Sequence, residues 1–145
     1  GLRTRGTGRD QEALEALPAA SGANVRFMGR LDDEECVEQY ANALAVPFVP
    51  IMEDFGYITL EAFRSGKPVI TCTDSGTPVD LVARAEAGMV CDPTPEAIAK
   101  AIDAVASSPD ACQAMGARGL QSTSTITWER AASRVMEVSK DMFGF

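Results

Sequence analysis

Glu53 and Glu61 stand with seven residues between them, around a Phe55-Gly56 step, inside the stretch PIMEDFGYITLEAFRSGKPVI. An apolar run ends just before them and a helix-like pattern begins between them. The first amides of a helix have no internal partner, so those of Gly56, Tyr57, Ile58 and Thr59 would be free to donate to an anion, helped by the positive end of the helix dipole. Gly56 would allow close approach to the backbone. A carboxylate aimed at a phosphate repels it, so the two acids must face something else. Glu61, one turn into the helix, leans back toward its N-terminus and can reach hydroxyl groups beside the phosphate, as acids do for ribose in dinucleotide sites. Glu53, in the loop before the helix, would address hydroxyls on the opposite side. Hydroxyls, a diphosphate and more hydroxyls describe a nucleotide sugar. The spacing by itself also accommodates Glu53 as a solvated loop acid and Glu61 as an exposed acid near a favourable dipole end.

Other chemistries find few residues to carry them. Histidine is absent, which removes Ser-His-Asp and Cys-His nucleophiles and the usual zinc ligands. Cys36, Cys72, Cys91 and Cys112 are widely spaced with no C-x-x-C pair and read as buried reduced thiols of a cytosolic protein, so no metal site is expected. With 13 basic against 21 acidic residues the formal net charge is −8, and only Arg3, Arg5 and Arg9 cluster, so nucleic acid is not an expected partner. No apolar run approaches the length of a membrane span, and the polar, glycine-rich GLRTRGTGRD lacks the apolar core of a secretory leader. It reads as the middle of a longer chain.

The elements that must position the glutamates follow from periodicity. At 145 residues one domain with a real core is expected. Apolar segments of strand length alternate with helical patterns, the order of an α/β fold with a mainly parallel sheet covered on both faces. Residues 11–20 read as helix, 24–29 as strand and 32–43 as helix, with Asp32 and Glu35 spaced as a capping box. Residues 43–49 read as a buried strand, shortened or irregular at Pro47. The helix of Glu61 should stop near Ser65-Gly66, followed by a buried strand at 67–72. A helix at 77–85 has Thr77 as cap, Pro78 at the first position and Asp80 completing a capping box. A strand at 88–92 follows, and from Thr94 onward the pattern is helical only, over 94–108, 108–119 and 127–143. In the last of these Trp128, Ala131, Ala132, Val135, Val138 and Met142 recur at helical spacing and are expected to form one buried stripe.

EDFGYITLEAFRSGKPVI resembles the E-x7-E signature of retaining, nucleotide-sugar-dependent glycosyltransferases of family four, in which a glutamate, an aromatic and a glycine precede L-E-A and G-K/R-P-V-I. VRFMGRLDDEECVEQYANA is similar to that family's V-x-F-x-G…L-x-x-L-Y-x-x-A segment, and TDSGTPVDLV to its S-x-x-G-G-x-x-E-x-V loop. GMVCDPTPEAIAKAI and TWERAASRVM match two further segments, so the likeness runs over about residues 6 to 143. Departures are the two arginines of LRTR where the family has an apolar strand, Thr77 for a second glycine and Asp80 for glutamate.

The resemblance implies half of a GT-B fold: residues 1–145 as the C-terminal, Rossmann-like donor domain, beginning inside that domain and separated from its acceptor domain and from the G-R…K element that clamps the diphosphate. It implies sugar transfer from a nucleoside diphosphate to an unknown sugar, lipid or small-molecule acceptor with retention of configuration, no cofactor and no metal, and no transfer by this chain alone. Glu53 would be the catalytic-site acid, touching sugar hydroxyls near the reacting carbon, and Glu61 would bind ribose. Asp54, Phe55, Gly56, Tyr57, Ile58 and Thr59 would hold the diphosphate region, and Arg30 would lie near the base. Lys67, at the opposite edge of the sheet, needs only a dipole interaction to explain it. A cytoplasmic location follows, with membrane association through the missing domain left open. The rival readings are a non-catalytic nucleotide- or partner-binding module and a glycoside hydrolase. The hydrolase is disfavoured because its two carboxylates must face one bond.

Overall fold

A computed structural model describes residues 1–144, less the side chains of residues 18–21. They fall into two compact units, Gly1–Gln39 and Tyr40–Phe145.

In the first unit β1 (Leu2–Thr4) and β2 (Val25–Phe27) pair in parallel, Leu2 opposite Val25 and Thr4 opposite Phe27, joined through α1 (Gln11–Ser21). LRTR therefore does form a strand despite its arginines. Their heads stay outside the pairing, since Arg3 Nη1 donates to Gln39 Oε1 at 3.0 Å. The expected capping box opens α2 (Asp33–Asn42): Asp32 N–H donates to Glu35 Oε2 at 2.9 Å and Glu35 N–H to Asp32 Oδ1 at 2.8 Å.

The second unit holds a parallel sheet in the order β3-β4-β5, formed by Val46–Pro47, Val69–Cys72 and Gly88–Cys91. All four residues of β4 are buried. Alternation sends Val69 to one face, where it meets Ala62, Phe63, Val82 and Ala87, and Ile70 to the other, where it meets Ala101, Val105 and Cys112. The first group comes from α3 (Tyr57–Arg64), α4 (Thr77–Ala85) and the turn after α4; the second from α5 (Pro95–Ala106) and α6 (Pro109–Thr123). The α/β class expected from the periodicity, with its parallel sheet covered on both faces, is the one observed.

Several expectations need correction. The strand at 43–49 is two residues long and lies at the sheet edge, with Leu44 and Val49 exposed rather than buried. Val46 N–H and Phe48 N–H reach the carbonyls of Pro68 and Ile70, so Pro47 occupies the position whose N–H would point away from β4, where its absence costs no bond. Thr77 is not the cap of α4. Gly76 holds that position, no side chain caps the helix, and Asp80 completes no capping box. The helix expected at 108–119 continues to Thr123, and Gly116 and Gly119 pack rather than stop it: a Cβ on Gly116 would strike the Gly66 carbonyl, and one on Gly119 would lie 2.8 Å from Phe63 Cδ1. Of the four thiols only Cys72 and Cys112 are buried; Cys36 and Cys91 are half-buried. Finally, α7 (Trp128–Phe143) has no buried residue, and Trp128, Val135, Val138 and Met142 of its stripe are exposed. Periodicity marks a face suited to be covered, and among the described residues nothing covers it.

Candidate active site

Beyond the carboxyl end of β4 the chain turns through residues 73–76 and lies against the segment that leads from β3 into α3. Met52 N–H donates to Asp74 O at 2.9 Å, Glu53 N–H to Ser75 O at 3.1 Å, and Thr77 N–H to Glu53 O at 3.0 Å, so Glu53 and Gly76 form a parallel bridge. Gly76 is required there. Its φ is +77°, and a Cβ would sit 2.6 Å from the Glu53 carbonyl oxygen. Buried Ser75 braces the turn by accepting from Cys72 N–H at 3.2 Å. Thr77, in place of a second glycine, adds a tether: its hydroxyl donates to Asp54 O at 2.6 Å. The backbone of Glu53 is thus fixed from both sides, while Met52, at φ +53°, takes the sharp turn before it.

Gly56 opens α3 at φ +74°, and a Cβ there would press on the Pro78 ring at 2.8 Å. Phe55 and Tyr57 flank it as an exposed aromatic pair with ring centroids 4.8 Å apart. Of the four first-turn amides expected to be free, two are engaged. Gly56 N–H reaches Glu53 Oε1 at 3.4 Å, a long contact, and Thr59 N–H donates to Gly56 O at 2.9 Å. Tyr57 and Ile58 keep amides with no acceptor among the described residues. Thr59 belongs to the core, fully buried, and its hydroxyl finds no hydrogen-bond partner among the described residues. The helix mouth is narrower than the sequence suggests because the turn is closed by its own backbone and by Glu53.

Glu61 is exposed on α3, one turn from Tyr57, and its Oε2 accepts a hydrogen bond from the Tyr40 hydroxyl at 2.7 Å. Tyr40 is the residue that sequence reasoning misses. It sits 21 positions earlier, near the end of α2, and the signal that could have found it is the tyrosine of the EQYANA segment. Lys67 is also reassigned: its ammonium reaches Ala41 O at 3.0 Å and so satisfies a carbonyl at the end of α2 rather than of α3. Glu53, Asp54, Phe55, Gly56, Tyr57, Ile58 and Glu61 are brought around one helix mouth. Arg30 lies in the first unit, exposed, just after Gly29. A surface depression lined by Thr125, Ile126, Arg130 and other residues of the α7 region includes none of these residues. Among the described residues no group of three or more His, Cys, Asp or Glu could hold a metal ion, and no helix is long and apolar enough to cross a membrane.

A three-layer α/β unit with an acid-flanked helix mouth beyond its strand ends belongs to the class of Rossmann-like domains that bind at that end. The family described as glycosyl transferases group 1 matches residues 1–122, and the chain belongs to it. It is 29% identical over 129 residues to a D-inositol 3-phosphate glycosyltransferase of Streptomyces griseus, covering 88% of this chain and 27% of that protein. It is 30% identical over 97 residues to the alpha-1,3/1,6-mannosyltransferase ALG2 of Dictyostelium discoideum, covering 67% of this chain and 23% of that one. Among solved structures it resembles WaaG, a glycosyltransferase involved in lipopolysaccharide biosynthesis, with TM-score 0.74 at 20% identity over 99% of this chain and 38% of that one. It also resembles sucrose-phosphate synthase from Thermosynechococcus elongatus, with TM-score 0.76 at 25% identity over 94% of this chain and 35% of that one. These neighbours are GT-B glycosyltransferases, and the fold is that of a Rossmann-like half of this architecture. The chain spans about a quarter of the length of the curated relatives it matches.

Proposed function

We propose that this chain is the C-terminal donor-binding domain of a cytoplasmic, retaining glycosyltransferase, and that it binds a nucleoside diphosphate sugar at the mouth of α3. The observation that carries the reading is the helix mouth itself: two free first-turn amides, at Tyr57 and Ile58, lie between a backbone-locked glutamate and a glutamate held by a tyrosine. Those amides and the helix dipole receive the diphosphate, with Gly56 admitting it closely and Asp54 and Phe55 forming the loop beside it. Glu61 accepts the ribose hydroxyls.

Glu53 exchanges its long contact with Gly56 for hydroxyls of the sugar near the reacting carbon, which frees a third amide for the leaving diphosphate. The acceptor, a sugar, lipid or small molecule, is bound by a further domain of the same protein. Without that domain nothing arranges the two substrates together, and the chain by itself transfers no sugar.

The test is a calorimetric titration of the chain with uridine, guanosine and adenosine 5′-diphosphates, repeated with the 2′-deoxy compounds and with Glu61→Ala. Loss of a charged acceptor for ribose hydroxyls should weaken the best ribonucleotide about ten- to a hundredfold. The 2′-deoxy ligand should lose less, because part of the contact is already gone. Equal binding of the ribonucleotide by wild type and a folded Glu61→Ala chain would remove Glu61 from the site and with it the donor reading.

A further inference from the structure

We propose that Tyr40 is a positioning residue for Glu61, fixing the carboxylate that receives the ribose hydroxyls; the inference rests on the donor reading above. The geometry is specific. The Tyr40 hydroxyl lies 2.7 Å from Glu61 Oε2, a short, charge-assisted bond in which the phenol can only donate. Exposed glutamates on helices otherwise sample several rotamers, and ordering one on ligand binding opposes that binding. Tyr40 removes that freedom beforehand.

The tyrosine is itself anchored. Its ring packs against the buried cluster of Ala62, Phe63, Val69, Val82 and Ala87, and the Ala41 carbonyl beside it is held by the Lys67 ammonium at 3.0 Å. The anchor therefore runs from the sheet-facing core through an aromatic ring to one carboxylate oxygen. A carboxylate offers about four lone-pair directions, so a phenol on Oε2 is compatible with hydroxyl donors arriving from a ligand. An orienting donor on an acid that must meet a diol is the support expected of a preorganised site. A tyrosine needing only burial would not have to direct its hydroxyl at the one acid on α3.

Tyr40→Phe keeps the ring and removes the donor. The chain, Tyr40→Phe, Glu61→Ala and the double variant are titrated by calorimetry with uridine, guanosine and adenosine 5′-diphosphates and with their 2′,3′-dideoxy counterparts. Tyr40→Phe should weaken the best ribonucleotide about three- to tenfold. It should leave the dideoxy ligand unchanged and add nothing further in the Glu61→Ala background. The selective loss separates positioning from general loosening of the domain, which would weaken both ligands alike and would overturn the inference. Full ribonucleotide affinity in Tyr40→Phe, with Glu61→Ala still impaired, would overturn it while leaving the donor reading intact. No loss in either single variant would overturn the donor reading and the inference together.

Discussion

Strand β4 and helix α7 are both patterned to be covered, yet they end in opposite environments. Every residue of β4 is buried between α3 and α4 on one face and α5 and α6 on the other. Helix α7 carries a regular apolar stripe and buries none of it, with Trp128 at 87% exposure against 1% for Phe63 of α3. The lesson is that apolar periodicity specifies which face should meet something apolar but carries no information about the partner. For β4 the partners lie within about forty residues on either side; for α7 no described residue supplies them.

The contrast can be tested by truncation. The largest effect is expected at Phe63→Ala, which empties the core between α3 and α6 and should cost about 3–5 kcal/mol in urea unfolding. A loss below about 1 kcal/mol there would mean that the α3 layer is not close-packed.

An intermediate effect is expected at Cys72, at the end of β4. Burial first, then the hydrogen bond to Cys91 and the negative charge around it, push this thiol up from 9.0 to about 11. A raised pKa means that the folded chain holds its proton where the unfolded chain releases it. The stabilisation is therefore complete below the unfolded value and is lost as pH rises from about 9 through about 11. Cys72→Ala should flatten that alkaline slope, and an unchanged slope would show that the thiol is solvated in the folded chain. The smallest effect is expected at Trp128→Ala, within about 0.5 kcal/mol. A core-sized loss would show that the stripe of α7 is already covered in solution.

The same logic explains what was legible around the site. The α3 stop at Ser65-Gly66, the capping box of Asp32 and Glu35, and the burial of β4 follow from local rules that act within a few residues, and each is observed. Thr77 fits an equally local rule as a helix cap and fails it. The segment at Asp54 competes for its hydroxyl at 2.6 Å, and only the packing of two loops beyond the sheet creates that alternative. The free amides at the helix mouth were overcounted for a related reason. Which of four neighbouring N–H groups remains open depends on the φ of Gly56 and on where the Glu53 side chain turns, and neither is written in residue spacing.

The amino-acid sequence by itself determined the α/β order, the burial of β4 and the presence of two acids astride a glycine at a helix start, because period, capping and turn chemistry act over a single turn or strand. The tertiary structure alone decided that Gly76 closes on the Glu53 backbone, that Pro47 lies on an edge and that Tyr40 reaches Glu61 across 21 residues of chain. Each of these depends on which elements become neighbours. That is settled by the collective burial of apolar faces, a sum over many residues that no short stretch of sequence contains.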